Sequence, residues 1–228
     1  MRRITLAASL LLAGCGQPTD DLAVAPVPAG EGAELYDRLS RTYQDRAPEA
    51  LANQLEQRHE DADAVMAALA IVPGAVIADI GCGVGYFTRR LSAATGPSGT
   101  VHAVDIQPEA IAFLSQELAV SGGHDNVKTA VNAIDDVQLA PASLDLAFMA
   151  HLDFYLQPEL MPENVRFLES VHAAVRPGGR LAVLQYVAPG QTIDRLSPNL
   201  QSVGFEEVSR IHDPKHDSYL VTFRRPAP

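Results

Sequence analysis

The segment Asp79-Ile80-Gly81-Cys82-Gly83-Val84-Gly85 sets a carboxylate two residues ahead of three alternating glycines. The apolar run Val76-Ile77-Ala78 precedes it and Tyr86-Phe87-Thr88 follows, so the stretch reads as a buried strand ending in a tight turn that opens a helix. Without a Cβ, the turn adopts angles closed to other residues and lets a ligand lie against the main chain. Asp79 stands where it reaches such a ligand. A pyrophosphate wants amide donors with no carboxylate beside them, whereas a ligand with a positive centre tolerates or gains from Asp79.

The dinucleotide fingerprint G-x-G-x-x-G requires a third glycine where this chain has Tyr86, so a nicotinamide or flavin ligand fits the loop less well. The order D-x-G-x-G-x-G instead resembles motif I of the class I S-adenosylmethionine-dependent methyltransferases. That resemblance implies S-adenosylmethionine as cofactor, with Asp79, Gly81, Gly83 and Gly85 at its amino-acid end. A nicotinamide-dependent protein and a structural glycine turn in another α/β protein remain as alternatives.

Further residues match cofactor-holding positions of that family. Asp105 directly follows Val101-His102-Ala103-Val104, and at the carboxyl end of a strand a carboxylate accepts hydrogen bonds from both ribose hydroxyls. Nicotinamide enzymes use an acid there too, and a helix-capping aspartate is the plain structural reading. The resemblance extends the site to Ile106 beside it. Asn132-Ala133 falls where many members have Asp-Ala. Asn132 supplies the same carbonyl acceptor for an adenine amino group, although its amide adds donors.

The segment after the fourth expected strand, Ala150-His151-Leu152-Asp153-Phe154-Tyr155, should face the methyl acceptor, because open α/β sheets bind ligands at the carboxyl ends of their strands. It lacks the Asn-Pro-Pro-aromatic signature of enzymes methylating amide or base nitrogens and the Pro-Cys nucleophile of cytosine carbon methylation. His151 is the candidate general base, with Asp153 and Tyr155 orienting it or the acceptor; the plain alternative is a polar histidine closing a strand. Transfer from a sulfonium is an in-line displacement, so positioning matters most and a base only if the acceptor starts protonated. His124, His172, His212 and His216 lack metal-ligand spacing, and no metal is expected. Cys82 reads as a small residue filling a crowded turn.

The elements that must position these groups alternate helix and strand, as a doubly wound sheet requires. Helices are expected over Ala33 to Thr42 and Pro48 to Ala70, then a strand over Ala75 to Ile80 and a helix from Tyr86 to Ala94. Thr100 to Val104 is the second strand, and Pro108 opens a helix through Leu118. Strands follow at Val127 to Val131 and Leu144 to Ala150. A helix over Pro162 to Val175 closes at Pro177-Gly178-Gly179, before a fifth strand over Arg180 to Val187. A helix around Ile193 to Val203 precedes strands over Phe205 to Ile211 and Tyr219 to Phe223. The order matches the class I methyltransferase fold, a seven-stranded, mostly parallel Rossmann-like sheet with an antiparallel last strand, over roughly Pro48 to Arg224.

The N-terminus carries a different signal. Arg2 and Arg3 precede an apolar run from Ile4 to Ala13, too short to span a bilayer and built like a secretory leader. It ends in Leu12-Ala13-Gly14-Cys15, which resembles a bacterial lipobox. That resemblance implies removal of residues 1–14, lipidation of Cys15, and a place in the cell envelope facing the periplasm; Gly16 favours the outer membrane. Residues 15–32, with Pro18, Pro26 and Pro28, read as a tether reaching on the order of 50 Å when extended at about 3.1 Å per residue. Residues 33–228 form the remaining domain.

The 228 residues are 47% hydrophobic, enough for one core. Seventeen basic against 28 acidic residues give a net charge of −11, and loss of Arg2 and Arg3 makes it −13. Such a chain repels nucleic acid and anionic headgroups, so the expected partner is a small-molecule acceptor and the expected membrane contact is the lipid alone. The two signals conflict, because S-adenosylmethionine is made in the cytoplasm. Three readings follow: an exported methyltransferase, an exported non-catalytic small-molecule-binding domain of the same fold, and a cytoplasmic enzyme with a wrongly extended start.

Overall fold

The computed structural model describes residues 61–152, 160–186 and 193–227. The leader, the tether and the helix expected over Ala33 to Thr42 lie outside them, and only the end of the helix expected over Pro48 to Ala70 lies inside. That end is α1 (Ala62–Leu69). Asp61 caps it by accepting a hydrogen bond from the Ala64 N–H at 2.9 Å, and Ala70 stops it in the left-handed region at φ 46°.

The elements then alternate as β1 (Val76–Ile80), α2 (Thr88–Thr95), β2 (Thr100–Asp105), α3 (Pro108–Ser121), β3 (Val127–Val131), β4 (Leu144–Ala150), α4 (Pro162–Ala174), β5 (Val175–Tyr186), a short 3-10 turn (Ile193–Arg195), α5 (Leu196–Ser202), β6 (Glu206–Asp213) and β7 (Ser218–Arg224). The strands form one seven-stranded sheet in the order β3-β2-β1-β4-β5-β7-β6. Neighbours from β3 through β5 pair in parallel, while β7 runs antiparallel to both β5 and β6.

Alternating side chains send apolar residues to both faces, as a sheet covered on two sides demands. On one face Ala78, Ile80, Ala147, Met149, Leu181 and Val183 pack with Phe167, Leu168 and Val171 of α4 and with Leu196 and Leu200 near α5. On the other, Ile77, Val101, Leu146, Phe148 and Leu184 meet Leu69 of α1 and Leu91 of α2, while Ala103 meets Leu114 of α3. These layers hold the carboxyl ends of β1 to β5 in line along one edge. Asp145 ties the opposite edge: its carboxylate accepts from the Val76 N–H at 2.8 Å and from Arg176 Nε at 2.7 Å.

Several boundaries differ from the sequence reading, and two of the differences have a clear physical cause. The helix expected from Tyr86 begins at Thr88, because residues before it are spent in the turn that the Gly85 N–H closes on the Cys82 carbonyl at 2.9 Å. Pro177-Gly178-Gly179 does not end a helix before the fifth strand. The strand starts at Val175, and the register jumps from Leu144↔Val175 to Leu146↔Arg180, so the three residues form a bulge within it. Gly178 supplies a φ of 77° there. Arg225 explains the outcome: it exchanges backbone hydrogen bonds with Gly178 and Gly179 at 2.8 and 2.9 Å, while its guanidinium donates to the carbonyls of His172, Ala173 and Val175 at 2.7 to 3.0 Å. The chain end thus caps α4 and needs no turn.

Phe148 is fully buried and meets Phe87 edge to face at 4.9 Å between centroids. Phe148→Ala should lower unfolding free energy by about 3–5 kcal/mol, read from urea denaturation as a shift in midpoint with little change in slope.

Candidate functional site

The carboxyl edge collects the chemistry-bearing residues. Ile80 pairs with Val104 on one side and Met149 on the other, so the glycine loop after β1 lies between Asp105 and His151. Asp105 pairs with Val131, bringing Asn132 next in line, and Ala150 pairs with Leu184, bringing Tyr186 beside the residue after β4. The Gly81 and Cys82 N–H groups both donate to the Val104 carbonyl, at 2.8 and 3.0 Å, and fasten the loop to β2.

Two of the glycines are required for different reasons. Gly85, at φ 86°, sits against α3, where a Cβ would come within 2.3 Å of Leu114 Cδ1. Gly83, at φ 52°, has nothing within 4 Å of where its Cβ would be, so it borders open space. Its N–H donates to Asp105 Oδ2 at 2.8 Å, and the Gln107 N–H donates to Oδ1 at 2.9 Å. Each oxygen of Asp105 thus accepts a main-chain hydrogen bond and has lone-pair capacity for another.

Asp79 and Asp105 are 3% and 8% exposed. Burial raises the pKa of both carboxyls. For Asp79 it reaches about 7, the desolvation and the nearby Asp105 charge outweighing the hydrogen bond that Thr88 Oγ1 donates to Oδ2 at 2.6 Å. For Asp105 the rise is opposed by backbone N–H groups of Gly83, Gln107 and Ile106. Ile106 therefore bears on this site through its main chain. Cys82 is buried against Ala103, Ile111 and Leu114, and burial together with the two acids pushes its thiol well up, which suits a packing residue and not a nucleophile.

Asn132 is buried, its main-chain N–H donating to the Asp105 carbonyl at 3.1 Å. Its side-chain amide donates to the Ala133 carbonyl at 2.7 Å, which uses one of its donors and leaves Oδ1 as an acceptor. His151 has φ 58°, an uncommon conformation for a residue with a Cβ, and its N–H donates to the Leu184 carbonyl at 2.8 Å. Its ring stacks on Tyr186 with centroids 4.5 Å apart. Leu152 lies over the first glycine, so closely that a Cβ on Gly81 would meet Leu152 Cδ2 at 2.8 Å. The segment after β4 therefore abuts the glycine loop. Asp153 and Tyr155 lie outside the described residues.

Sequence reasoning missed Thr88 and Tyr186. Thr88 follows the glycine loop by three residues, and the signal for it was a hydroxyl on the first turn of the helix that leaves a buried acid. Tyr186 closes β5, and only the pairing of β4 with β5 puts it beside His151. Among the described residues no cluster of three or more potential metal ligands occurs, and no helix is long and apolar enough to cross a membrane.

A strand antiparallel to both neighbours, inserted between β5 and β6 of an otherwise parallel sheet, is the class I methyltransferase architecture and departs from the dinucleotide fold's order 3-2-1-4-5-6. Residues 78–181 match the family described as a methyltransferase domain. The matched residues run from β1 into β5 and include Asp79, the glycine loop, Asp105, Asn132 and His151. The chain is 26% identical over 159 residues to an arsenite methyltransferase of Halobacterium salinarum, covering 61% of this chain and 39% of that protein. It is 29% identical over 120 residues to a ubiquinone/menaquinone biosynthesis C-methyltransferase of Hahella chejuensis, covering 53% and 46%. It thus spans less than half the length of these curated relatives. Among solved structures it resembles the Burkholderia thailandensis 1,6-didemethyltoxoflavin-N1-methyltransferase with bound 1,6-didemethyltoxoflavin and S-adenosylhomocysteine, at a TM-score of 0.65 and 20% identity, covering 89% of this chain and 93% of that one.

The raised pKa of Asp79 has a measurable sign. The unfolded carboxyl titrates near 3.8 and the folded one near 7, so between these values only the folded state holds the proton. Asp79 therefore lowers stability progressively as pH rises from about 4 to 7, by up to about 4 kcal/mol, and the loss is constant above. Asp79→Asn keeps an acceptor for Thr88 without the charge. In urea unfolding it should match wild type near pH 4 and exceed it by a margin that grows to pH 7; a margin independent of pH would show that Asp79 is ionised throughout.

Proposed function

We propose that this protein is an S-adenosylmethionine-dependent methyltransferase acting on a small-molecule acceptor, anchored by lipid at Cys15 and facing the periplasm. The observation that carries the reading is the pair of buried carboxylates, Asp79 and Asp105, at the carboxyl ends of neighbouring strands, with the glycine loop after the first bonded to the second and open space beside Gly83. When bound, the cofactor supplies a methyl group already activated by a sulfonium. In this reading Asp79 pairs with the ammonium of its amino-acid end, which holds the carboxyl ionised. Asp105 accepts from the ribose hydroxyls, and Asn132, followed by Ala133, accepts from the adenine amino group.

His151 is the residue for removing a proton from the acceptor. It follows β4, next to the glycine loop that would hold the donor, and an imidazole is the commonest side-chain general base. The strained backbone and the Tyr186 stack fix the ring, so its contribution is a base in one place together with exclusion of water. The small-molecule acceptor is favoured by the names of the relatives, an arsenite methyltransferase and a ubiquinone/menaquinone biosynthesis C-methyltransferase, and by a net charge of −11 that repels nucleic acid. The anchor is supported by the lipobox-like order of Arg2-Arg3, apolar run and Leu12-Ala13-Gly14-Cys15.

Calorimetric titration of the full-length protein in detergent with S-adenosylmethionine and S-adenosylhomocysteine tests the cofactor. Asp105→Ala should bind about ten- to a hundredfold more weakly, the loss of a charged hydrogen-bond partner. His151→Ala should keep that affinity and slow methyl transfer by about 10²–10⁴-fold. If neither nucleoside binds the wild type, the non-catalytic exported domain becomes the better reading.

Replacing the anchoring cysteine tests location separately. Cys15→Ala should abolish incorporation of a labelled fatty acid in the native cell and shift the protein out of the detergent phase; unchanged partitioning would refute the anchor.

A further inference from the structure

Beyond His151 the carboxyl edge continues into a feature that the cofactor does not use. Tyr186, the last residue of β5, pairs with Ser218, the first residue of β7, which sets the turn between β6 and β7 against it. Tyr186, Lys215, His216 and Asp217 line an open depression of about 650 Å³, within the usual range of about 300–1,000 Å³ for small-molecule sites. Because the Tyr186 ring also stacks on His151, this depression and the candidate base share one wall.

The charges of the turn are unevenly committed. Asp213 accepts from the Lys215 N–H at 2.9 Å and meets His216 Nδ1 at 2.5 Å. The His216 contact keeps the Asp213 carboxyl below its usual range, so it stays an acceptor for that ring. Asp217 lies 3.5 Å from His212 Nε2. Both acids thus have histidine partners, while no carboxylate of the described residues lies within ion-pair distance of the Lys215 ammonium. In a chain of net charge −11, a cation left over beside an aromatic wall is a recognition element for a negative group.

We propose that the depression lined by Tyr186, Lys215, His216 and Asp217 is the acceptor site and that it selects a planar small molecule carrying an anionic group, with the anion on Lys215 and the remainder against Tyr186, the residue that also stacks on His151. This rests on the methyltransferase reading and adds to it the acceptor's chemical class and the element that reads it. Lys215 is exposed at the tip of a hairpin, so substituting it leaves the core and the glycine loop intact.

The experiment uses full-length protein saturated with S-adenosylhomocysteine and two matched probe pairs, benzoate against benzamide and 4-hydroxybenzoate against 4-hydroxybenzamide, titrated calorimetrically. At least one acid should bind about tenfold or more tightly than its amide, the preference should shrink with added salt, Lys215→Met should erase it, and Lys215→Arg should retain it. Equal affinity for acid and amide, no binding by either acid, or an undiminished preference in Lys215→Met would each overturn the proposal. The saturating titration separates the two readings: if S-adenosylhomocysteine itself fails to bind, the methyltransferase reading falls, and if it binds while the acid preference is absent, only the acceptor assignment falls.

Discussion

Two carboxylates out of water, on neighbouring strands, set the terms for the rest of the structure. Isolated charges in such a place are costly, and both Asp79 and Asp105 are pushed up in pKa by burial. The fold answers locally, with Thr88 at one acid and the N–H groups of Gly83 and Gln107 at the other. The glycine loop is therefore not only an open path for a ligand. Its backbone is already a partner of the acid, and this orders the hollow before anything enters it.

The strand-helix alternation was legible because both faces of the sheet are covered. A doubly covered strand must be apolar at nearly every position, and β1 and β4 are such runs in the sequence. The bulge at Pro177-Gly178-Gly179 was not legible as one. Those residues are a standard stop for a helix, and only the distant Arg225, contributing after β7, converts them into an irregular strand. A local motif reports what a backbone is able to do, and a long-range hydrogen bond decides which option it takes.

The polar residues of the carboxyl edge were similarly legible, since Asp79, the glycines, Asp105 and Asn132 each sit directly at a strand end that the hydrophobic pattern marks. The surroundings of His151 were less so. His151 was evident as the first polar residue after β4, but its ring is placed by Tyr186, 35 positions later in the chain, and the wall beyond it comes from the turn after β6. Such a site is assembled from strand order, which local spacing does not encode. Thr88 escaped notice for another reason: a hydroxyl opening a helix is common, and its role depends on an acid being buried within reach.

The contacts of Arg225 also bear on how the chain is made. They close the bulge of β5 and finish the carbonyls at the end of α4 from a point 50 residues downstream, and β7 must slide between β5 and β6 to deliver them. Pairings this distant in sequence form slowly and only once the intervening chain exists. Until β7 is in place, β5 and β6 have no shared partner and the sheet has an unfilled gap. A sheet whose last described strand is an inner one is therefore completed from within and not by addition at its edge.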